Sequence, residues 1–305
     1  MYIFPAVGNN PTVMEKKYIH ERESEKPVEE SQEKPVNRTV ERAPYKTAVV
    51  VGASSGIGKE TALQLASKGY RVINISRTPC KGEKVKSISA DAAQEGELQR
   101  AIADAAENGG IDLLIYSAGF SMSAPLEHAK SGDYRYLFEV NYFGAIEALR
   151  AALPYLKKRG GRAVLVGSLG GDIPIPYDGF YSASKAALVM LAREANMELR
   201  GRGVRVSALI PGGTATDFTY NRMIYKDEAT DYAGSVKKAS AALANMEQGG
   251  MNASLVAGAL VKLAERKNPP PVVSVGTKNG FVRFMNRVLP AEFVDRMTMR
   301  KFNQR

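Results

Sequence analysis

From Thr47 onward the chain repeats one texture, and that repetition constrains the fold more than any other feature. Short runs dense in Val, Ile and Leu alternate with longer stretches whose apolar residues recur at helical spacing; the runs include TAVVV (47–51), RVINI (71–75), IDLLIYS (111–117), RAVLVGS (162–168) and VRVSALI (204–210). A strand that is apolar at consecutive positions is buried on both faces, unlike a strand with one wet face. Such strands separated by helices imply βαβ units and a parallel sheet covered on both sides, the doubly wound α/β architecture. The spacing also predicts strands at 85–90 and 270–275, and helices over 57–68, 95–107, 133–159, 179–201 and 252–266. No second alternating set and no repeat is present, so residues 46–280 read as one domain.

The flanks differ in composition. From Glu15 to Arg42 the chain is rich in Glu, Lys, Pro and Ser and poor in large apolar residues. Such a segment does not bury enough surface to offset its ordering entropy, and residues 1–45 are expected to be a disordered or loosely attached polar tail. Its seven Lys/Arg and eight Asp/Glu nearly cancel, so the net charge of +10 resides elsewhere. Residues 262–305 carry ten Lys/Arg against three Asp/Glu, and 281–305 reads as a basic amphipathic C-terminal extension. A basic end of this kind suits anionic cofactors, acidic lipid headgroups or nucleic acid, or is a solvated surface. No base-reading motif accompanies the charge, so no nucleic-acid partner is expected.

One cysteine, Cys80, and two histidines, His20 and His128, exclude an internal disulfide and leave no cluster for a metal. No run approaches the roughly 18 apolar residues of a membrane span. The start lacks the basic region of a signal peptide, and a cytoplasmic protein is expected.

Three motifs fall at the ends of the expected strands. Gly52-Ala-Ser-Ser-Gly56-Ile-Gly58 lies between the first strand and the first helix. Glycines there let the backbone turn tightly and approach a pyrophosphate at the helix start. Three spaced glycines alone are a weak signal; the strand–turn–helix setting favours a dinucleotide site over an ordinary βα turn. Ser76-Arg77 ends the second strand, where an acid would hold the ribose hydroxyls of NAD. A guanidinium there pairs instead with a 2′-phosphate, a contact of about 1.5–3 kcal/mol, which points to NADP(H). The bland alternative is a solvated arginine. Tyr181-Ser-Ala-Ser-Lys185 sets a phenol and an ammonium one helical turn apart. With 14 Tyr in the chain such a pair also arises by chance. Its weight comes from Ser168 at a strand end and Asn141 on the preceding helix.

Together these residues resemble the short-chain dehydrogenase/reductase family, over roughly residues 46–290. The resemblance implies a Rossmann-fold oxidoreductase that interconverts a carbonyl and an alcohol, with Asn141, Ser168, Tyr181 and Lys185 as catalytic tetrad. It implies cofactor contacts from Gly52, Ser54, Ser55, Gly56, Ile57 and Gly58 in the turn, and from Ser76 and Arg77 at the adenosine end. Asp91 and Ala92 would lie beside the adenine, Ser117-Ala118-Gly119 after the fourth strand, and Pro211, Gly212, Thr214 and Thr216 near the nicotinamide; Tyr181 and Lys185 would also touch the cofactor. Val51 stands where the family usually has Thr, and Tyr116-Ser117 where it usually has an Asn pair. A homodimer or homotetramer through helices 133–159 and 179–201 is also implied. The C-terminal stretch looks like the tails of members acting on steroids, retinoids or acylated dihydroxyacetone phosphate, either packed over the pocket or in peripheral contact with a membrane. The alternative is a non-catalytic NADPH-binding regulatory or scaffold protein on the same fold, against which the intact tetrad argues.

In this chemistry Tyr181 is the proton donor and acceptor and Ser168 steadies the substrate oxygen. An ammonium at about 4 Å and an effective dielectric of about 20 is worth roughly 4 kcal/mol. Lys185 is therefore expected to lower the phenol by about three pH units before burial opposes it. The Met-, Ala- and Tyr-bearing segment 215–252 reads as a helical substrate lid. Ser121–Pro125, Gly170–Pro176 and Tyr177 are expected to line the pocket. That lining is largely apolar with few charges, and a lipophilic ketone or alcohol is the expected substrate.

Overall fold

The computed structural model describes residues 46–107, 110–226 and 230–302, all within the unit that runs from Arg42 to Arg305. The tail expected over 1–45 and the last three residues of the C-terminal extension lie outside the described residues. Consecutive apolar residues give β1 (Thr47–Val51), buried at every position, which leads through Gly52 into α1 (Gly56–Ser67). Next come β2 (Arg71–Ile75), β3 (Val85–Ile88), α2 (Glu97–Ala106) and β4 (Leu113–Tyr116). A two-residue strand, β5 (Met122–Ser123), precedes α3 (Ser131–Phe138), and a π-helical turn, Glu139–Phe143, joins α3 to α4 (Gly144–Arg159). The second half holds β6 (Arg162–Val166), α5 (Gly179–Arg200) and β7 (Arg205–Ile210). An insertion follows, with β8 (Thr214–Ala215), β9 (Met223–Ile224), α6 (Ala233–Gln248) and β10 (Met251–Asn252). The chain closes with α7 (Ala253–Glu265), β11 (Val272–Ser274), α8 (Thr277–Val288) and α9 (Ala291–Lys301).

The main sheet has the order β11-β7-β6-β4-β1-β2-β3, and every pairing in it is parallel. Alternate residues of β1 point to opposite faces, so Val49 and Val51 enter one core and Ala48 and Val50 the other. The first core is closed by α2, α4 and α5 through Leu98, Ile102, Leu149, Leu156 and Leu188. The second is closed by α1 and α7 through Leu65, Val256 and Leu260. Each fully buried Leu or Ile contributes roughly 1.5–3 kcal/mol relative to exposure. This is the expected doubly wound α/β fold.

The helix expected over 133–159 is interrupted. At the π turn the Tyr116 hydroxyl donates to the Val140 carbonyl at 2.5 Å, and Tyr116 is fully buried. A carbonyl of this wider turn thus receives a side-chain donor from the neighbouring strand. Tyr116, one of the two departures from the family pattern, has a definite structural role.

Candidate active site

The strand order reverses between β1 and β4, since β1 continues to β2 on one side and β4 to β6 on the other. Ligands of such sheets bind in the crevice beyond the carboxyl ends of the strands at that point. A cavity of about 1790 Å³ opens there. Ordinary small-molecule pockets are about 300–1,000 Å³, so this one has room for a dinucleotide and a second ligand.

At the floor, Gly52 has φ +85°, and a Cβ added to it would lie 2.5 Å from the Ala118 amide nitrogen. The turn after β1 is therefore pressed against the chain that leaves β4. A Cβ on Gly58 would overlap the Gly52 carbonyl oxygen, so this glycine closes α1 onto the strand end. Gly58 does not itself line the crevice, whereas Gly52, Ser54, Ser55, Gly56 and Ile57 do. Ser55 precedes α1 without a side-chain cap, which leaves the first helical N–H groups available to an anion. The residues present fit a pyrophosphate.

Further along, Ser76, Arg77, Asp91 and Ala92 line the crevice. The Ser76 hydroxyl is within hydrogen-bonding reach of the Thr78 carbonyl at 2.6 Å and of Asn74 at 3.0 Å. The Arg77 guanidinium is mostly exposed; it donates to the Tyr136 hydroxyl at 3.1 Å and lies 3.9 Å from the Asp91 carboxylate. Asp91 accepts from the Ala93 amide at 3.0 Å. At the other end, Ser117, Ala118, Gly119, Pro211, Gly212, Thr214 and Thr216 line the same crevice.

The helix α5 carries Tyr181, Ser184 and Lys185 on its buried face. Lys185 Nζ donates to the Val166 carbonyl at 2.9 Å and lies 5.8 Å from the centre of the Tyr181 ring. Ser168 ends the turn after β6, where its hydroxyl accepts from the Gly170 amide at 3.1 Å. Asn141 sits in the π turn and does not line the crevice. Its amide clamps the backbone of Phe120, accepting from Phe120 N at 3.0 Å and donating to Phe120 O at 2.9 Å, with Ser184 Oγ at 3.0 Å.

Burial dominates the electrostatics. It pushes the Tyr181 phenol above its ordinary value of 10.0, and the hydrogen bond to Ser168 pulls back less strongly. The expected lowering by Lys185 does not prevail, because desolvation outweighs an ammonium that is bonded to a carbonyl rather than to the phenol. Burial also lowers Lys185 from 10.5 to about 8.

The remaining lining differs from expectation in three ways. Of the loops proposed from the sequence, Gly170, Ile173 and Ile175 line the cavity, but Ser121–Pro125 and Tyr177 do not. Met122 and Ser123 form β5 and pair with Met223 and Ile224 of β9 instead. The wall is also less free of charge than expected, since Asp178, Glu247, Lys278 and Lys301 join Phe120, Phe218 and Met246 in it. Finally, α8 and α9 form one side, through Met285, Leu289, Val294 and others. Arg283 holds α8 there by an ion pair to Asp172 at 2.5 Å, on the loop that follows Ser168.

A parallel sheet of this order, with a glycine turn at its switch point and a Tyr–Lys helix face on the same crevice, defines a dinucleotide-binding oxidoreductase class. Comparison with known proteins narrows the class. Residues 46–225 match the short chain dehydrogenase family. The chain is 34% identical over 233 residues to the 3-ketodihydrosphingosine reductase of Bacteroides thetaiotaomicron, covering 75% of this chain and 87% of that protein. It is 30% identical over 276 residues to the NADPH-dependent 1-acyldihydroxyacetone phosphate reductase of Saccharomyces cerevisiae, covering 85% and 92%. The solved structure of a short-chain dehydrogenase from Streptomyces avermitilis matches with a TM-score of 0.70 at 25% identity, over 85% of this chain and 97% of that one. The chain belongs to the short-chain dehydrogenase/reductase family, oxidoreductases that bind a nicotinamide cofactor and act on small molecules.

Proposed function

We propose that this protein is an NADP(H)-dependent reductase of lipophilic carbonyl compounds, with Tyr181 as its proton donor. The carrying observation is convergence: Tyr181, Lys185 and Ser168 line the same crevice as the glycine turn and Arg77. A bound nicotinamide dinucleotide supplies the hydride. Gly52, Ser54, Ser55, Gly56 and Ile57 would hold its pyrophosphate and Asp91 and Ala92 its adenine side. Arg77, exposed and only loosely paired, would meet a 2′-phosphate. Ser117–Gly119, Pro211, Gly212, Thr214 and Thr216 would flank the nicotinamide.

Tyr181 hands its phenolic proton to the carbonyl oxygen as that oxygen gains charge. Burial keeps the phenol protonated at neutral pH, the form that has a proton to give. Ser168 donates a hydrogen bond to the same oxygen. Lys185, whose Nζ lies 5.8 Å from the ring centre, stabilises the phenolate left behind. Asn141 acts through the backbone it clamps at Phe120. The apolar side of the cavity supports a lipophilic substrate, a steroid, retinoid or acylated ketone. The names of two relatives, a 3-ketodihydrosphingosine reductase and an NADPH-dependent acyldihydroxyacetone phosphate reductase, support the carbonyl and cofactor readings. A cytoplasmic location is part of the reading, with peripheral contact to anionic lipid. So is a homodimer or homotetramer through α4 and α5, supported by the exposed Phe143, Met190 and Met197; sedimentation velocity reads that directly.

The test is a panel of ketones and alcohols followed by NADPH absorbance. Wild type is expected to reduce lipophilic ketones. Tyr181→Phe should lose turnover while binding NADPH normally, and Arg77→Ala should lose a ten- to hundredfold preference for NADPH over NADH, the equivalent of about 1.5–3 kcal/mol. NADPH binding without turnover across the whole panel would favour the non-catalytic alternative.

A further inference from the structure

A buried polar cluster closes the crevice wall beside Tyr181, and none of its members is among the expected catalytic or cofactor-binding residues. Arg222 stands just before β9, with a side chain only 1% exposed. Its Nε donates to the Ser121 hydroxyl at 3.1 Å, and a terminal nitrogen pairs with Glu247 at 2.5 Å. The Ser121 hydroxyl donates onward to Asp178 at 2.7 Å, while Glu247 also accepts from Thr219 at 2.6 Å. Ser121 follows β4, Asp178 caps the start of α5, Thr219 and Arg222 lie between β8 and β9, and Glu247 ends α6. Segments far apart in sequence therefore meet at one guanidinium.

Stability alone does not call for such a cluster. Apolar residues of similar volume generally stabilise a fold as well as a buried ion pair does, whereas losing one partner strands the other charge. The pair is better explained by what it orients. The Phe218 ring, one residue before Thr219, lies 5.7 Å from the Tyr181 ring. A second observation points the same way. Tyr177 has φ +64°, the single positive value at a non-glycine position among the described residues. Side chains rarely adopt that conformation, and it concentrates where function requires it. The Tyr177 carbonyl accepts from the Ala124 amide at 2.8 Å, and the next residue, Asp178, is 1% exposed. The strained turn thus delivers a carboxylate to the interior three residues before Tyr181. Burial pushes that carboxyl up to about 7, with Ser121 and Arg222 pulling it back and Glu247 adding to the rise.

We propose that Arg222, with Ser121, Asp178 and Glu247, is a latch that holds the lid over 217–226 and 230–252 against the catalytic helix, making Arg222 a positioning residue for carbonyl turnover. The inference rests on the reading of Tyr181 as proton donor. The latch keeps Phe218 on the phenol and holds Glu247 and Met223 in the substrate wall. Releasing it loosens the lid without touching the glycine turn, so substrate handling suffers and cofactor binding does not.

The experiment compares NADPH-loaded wild type, Arg222→Met, Arg222→Lys and the double variant Arg222→Met/Glu247→Met, with Tyr181→Phe in parallel. In Arg222→Met, amide exchange over 217–226 and 233–248 should rise at least tenfold while β1 and β6 keep their protection. Its kcat/KM for a ketone accepted by wild type should fall at least tenfold, mainly through KM, with the NADPH Kd within twofold. Lysine should recover part of the loss. The double variant should recover thermal stability but not kcat/KM. Unchanged lid exchange in Arg222→Met, or a double variant whose kcat/KM returns with its stability, overturns the latch. If Arg222→Met does not fold, the Lys variant carries the comparison: partial loss supports the latch and wild-type values overturn it. The exchange arm needs no turnover, so an active Tyr181→Phe would sink the reductase reading while leaving the lid result to be judged separately.

Discussion

Lys185 is 4% exposed, and its ammonium has one carbonyl, that of Val166, to offset the water it has lost. Burial lowers it from 10.5 to about 8, a difference of roughly 3 kcal/mol between its two protonation states. The unfolded chain holds this proton up to about pH 10.5 and the folded chain only to about pH 8. Between those values the unfolded state binds more protons, so stability rises with pH. Below about pH 8 both states are charged and the folded protein bears the whole cost. Lys185→Met removes the charge and keeps most of the stem. It should therefore melt several degrees higher than wild type at pH 7, with about 2–4 °C for each kcal/mol regained, less whatever the lost hydrogen bond contributed. The gap should close as pH approaches 10.5, and carbonyl turnover should be absent throughout. Paired thermal melts from pH 7 to 10.5 check this; a gap that is reversed or independent of pH contradicts it.

Between α3 and α4 the π turn shows how one element sets the geometry of another. Tyr116 of β4 reaches across to the Val140 carbonyl, and the next residue, Asn141, spends its amide on both backbone groups of Phe120. Tyr116→Phe removes the hydroxyl and leaves that carbonyl without its side-chain donor, at a cost of about 1–3 kcal/mol. The expected result is a melting point lower by a few degrees, with faster amide exchange confined to 139–144 and 120. A variant that melts like wild type would show that the helix supplies the carbonyl's partner unaided. The turn also shows where sequence reading stops. Runs such as 47–51 and 71–75 have one physical explanation, and they are β1 and β2 with the same bounds. The glycine turn and the Tyr181–Lys185 pair were equally legible, because local spacing carries them. The π turn bonds to a side chain from another strand, and periodicity over 133–159 does not register it. Likewise β5 and β9 are two residues each and have no period, which is why Ser121–Pro125 was expected in the pocket. Arg222 and Glu247 look like surface charges until the fold brings them together.

Within the unit from Arg42 to Arg305, exposed apolar side chains and basic charge meet on α8 and α9. Phe281, Phe284, Val288, Phe293 and Met297 are exposed along α8 and α9, and so are Lys278, Arg287, Arg296, Arg300 and Lys301. Of these, Lys278, Phe281, Phe293, Met297 and Lys301 also border the crevice, together with Met285, Leu289 and Val294, whereas Phe284, Arg287, Val288, Arg296 and Arg300 do not. One element thus walls the cavity and carries an apolar, basic outer surface. No helix among the described residues is long and apolar enough to cross a membrane. The exposed faces of α8 and α9 would meet lipid at the interface. There, apolar side chains enter the headgroup boundary and each cation adds about 1 kcal/mol near an anionic leaflet. The protein should therefore sediment with vesicles containing phosphatidylglycerol and much less with pure phosphatidylcholine. Binding should weaken on going from about 0.05 to 0.5 M salt, as screening shortens the reach of the charges. Arg287→Glu/Arg296→Glu lies outside the crevice lining; it should reduce vesicle binding at least tenfold while leaving turnover of a water-soluble ketone unchanged. Equal sedimentation with neutral and anionic vesicles would remove the electrostatic part. Retained binding in the double variant would mean that these two charges face water alone and that apolar contact, not charge, holds the protein on the vesicle.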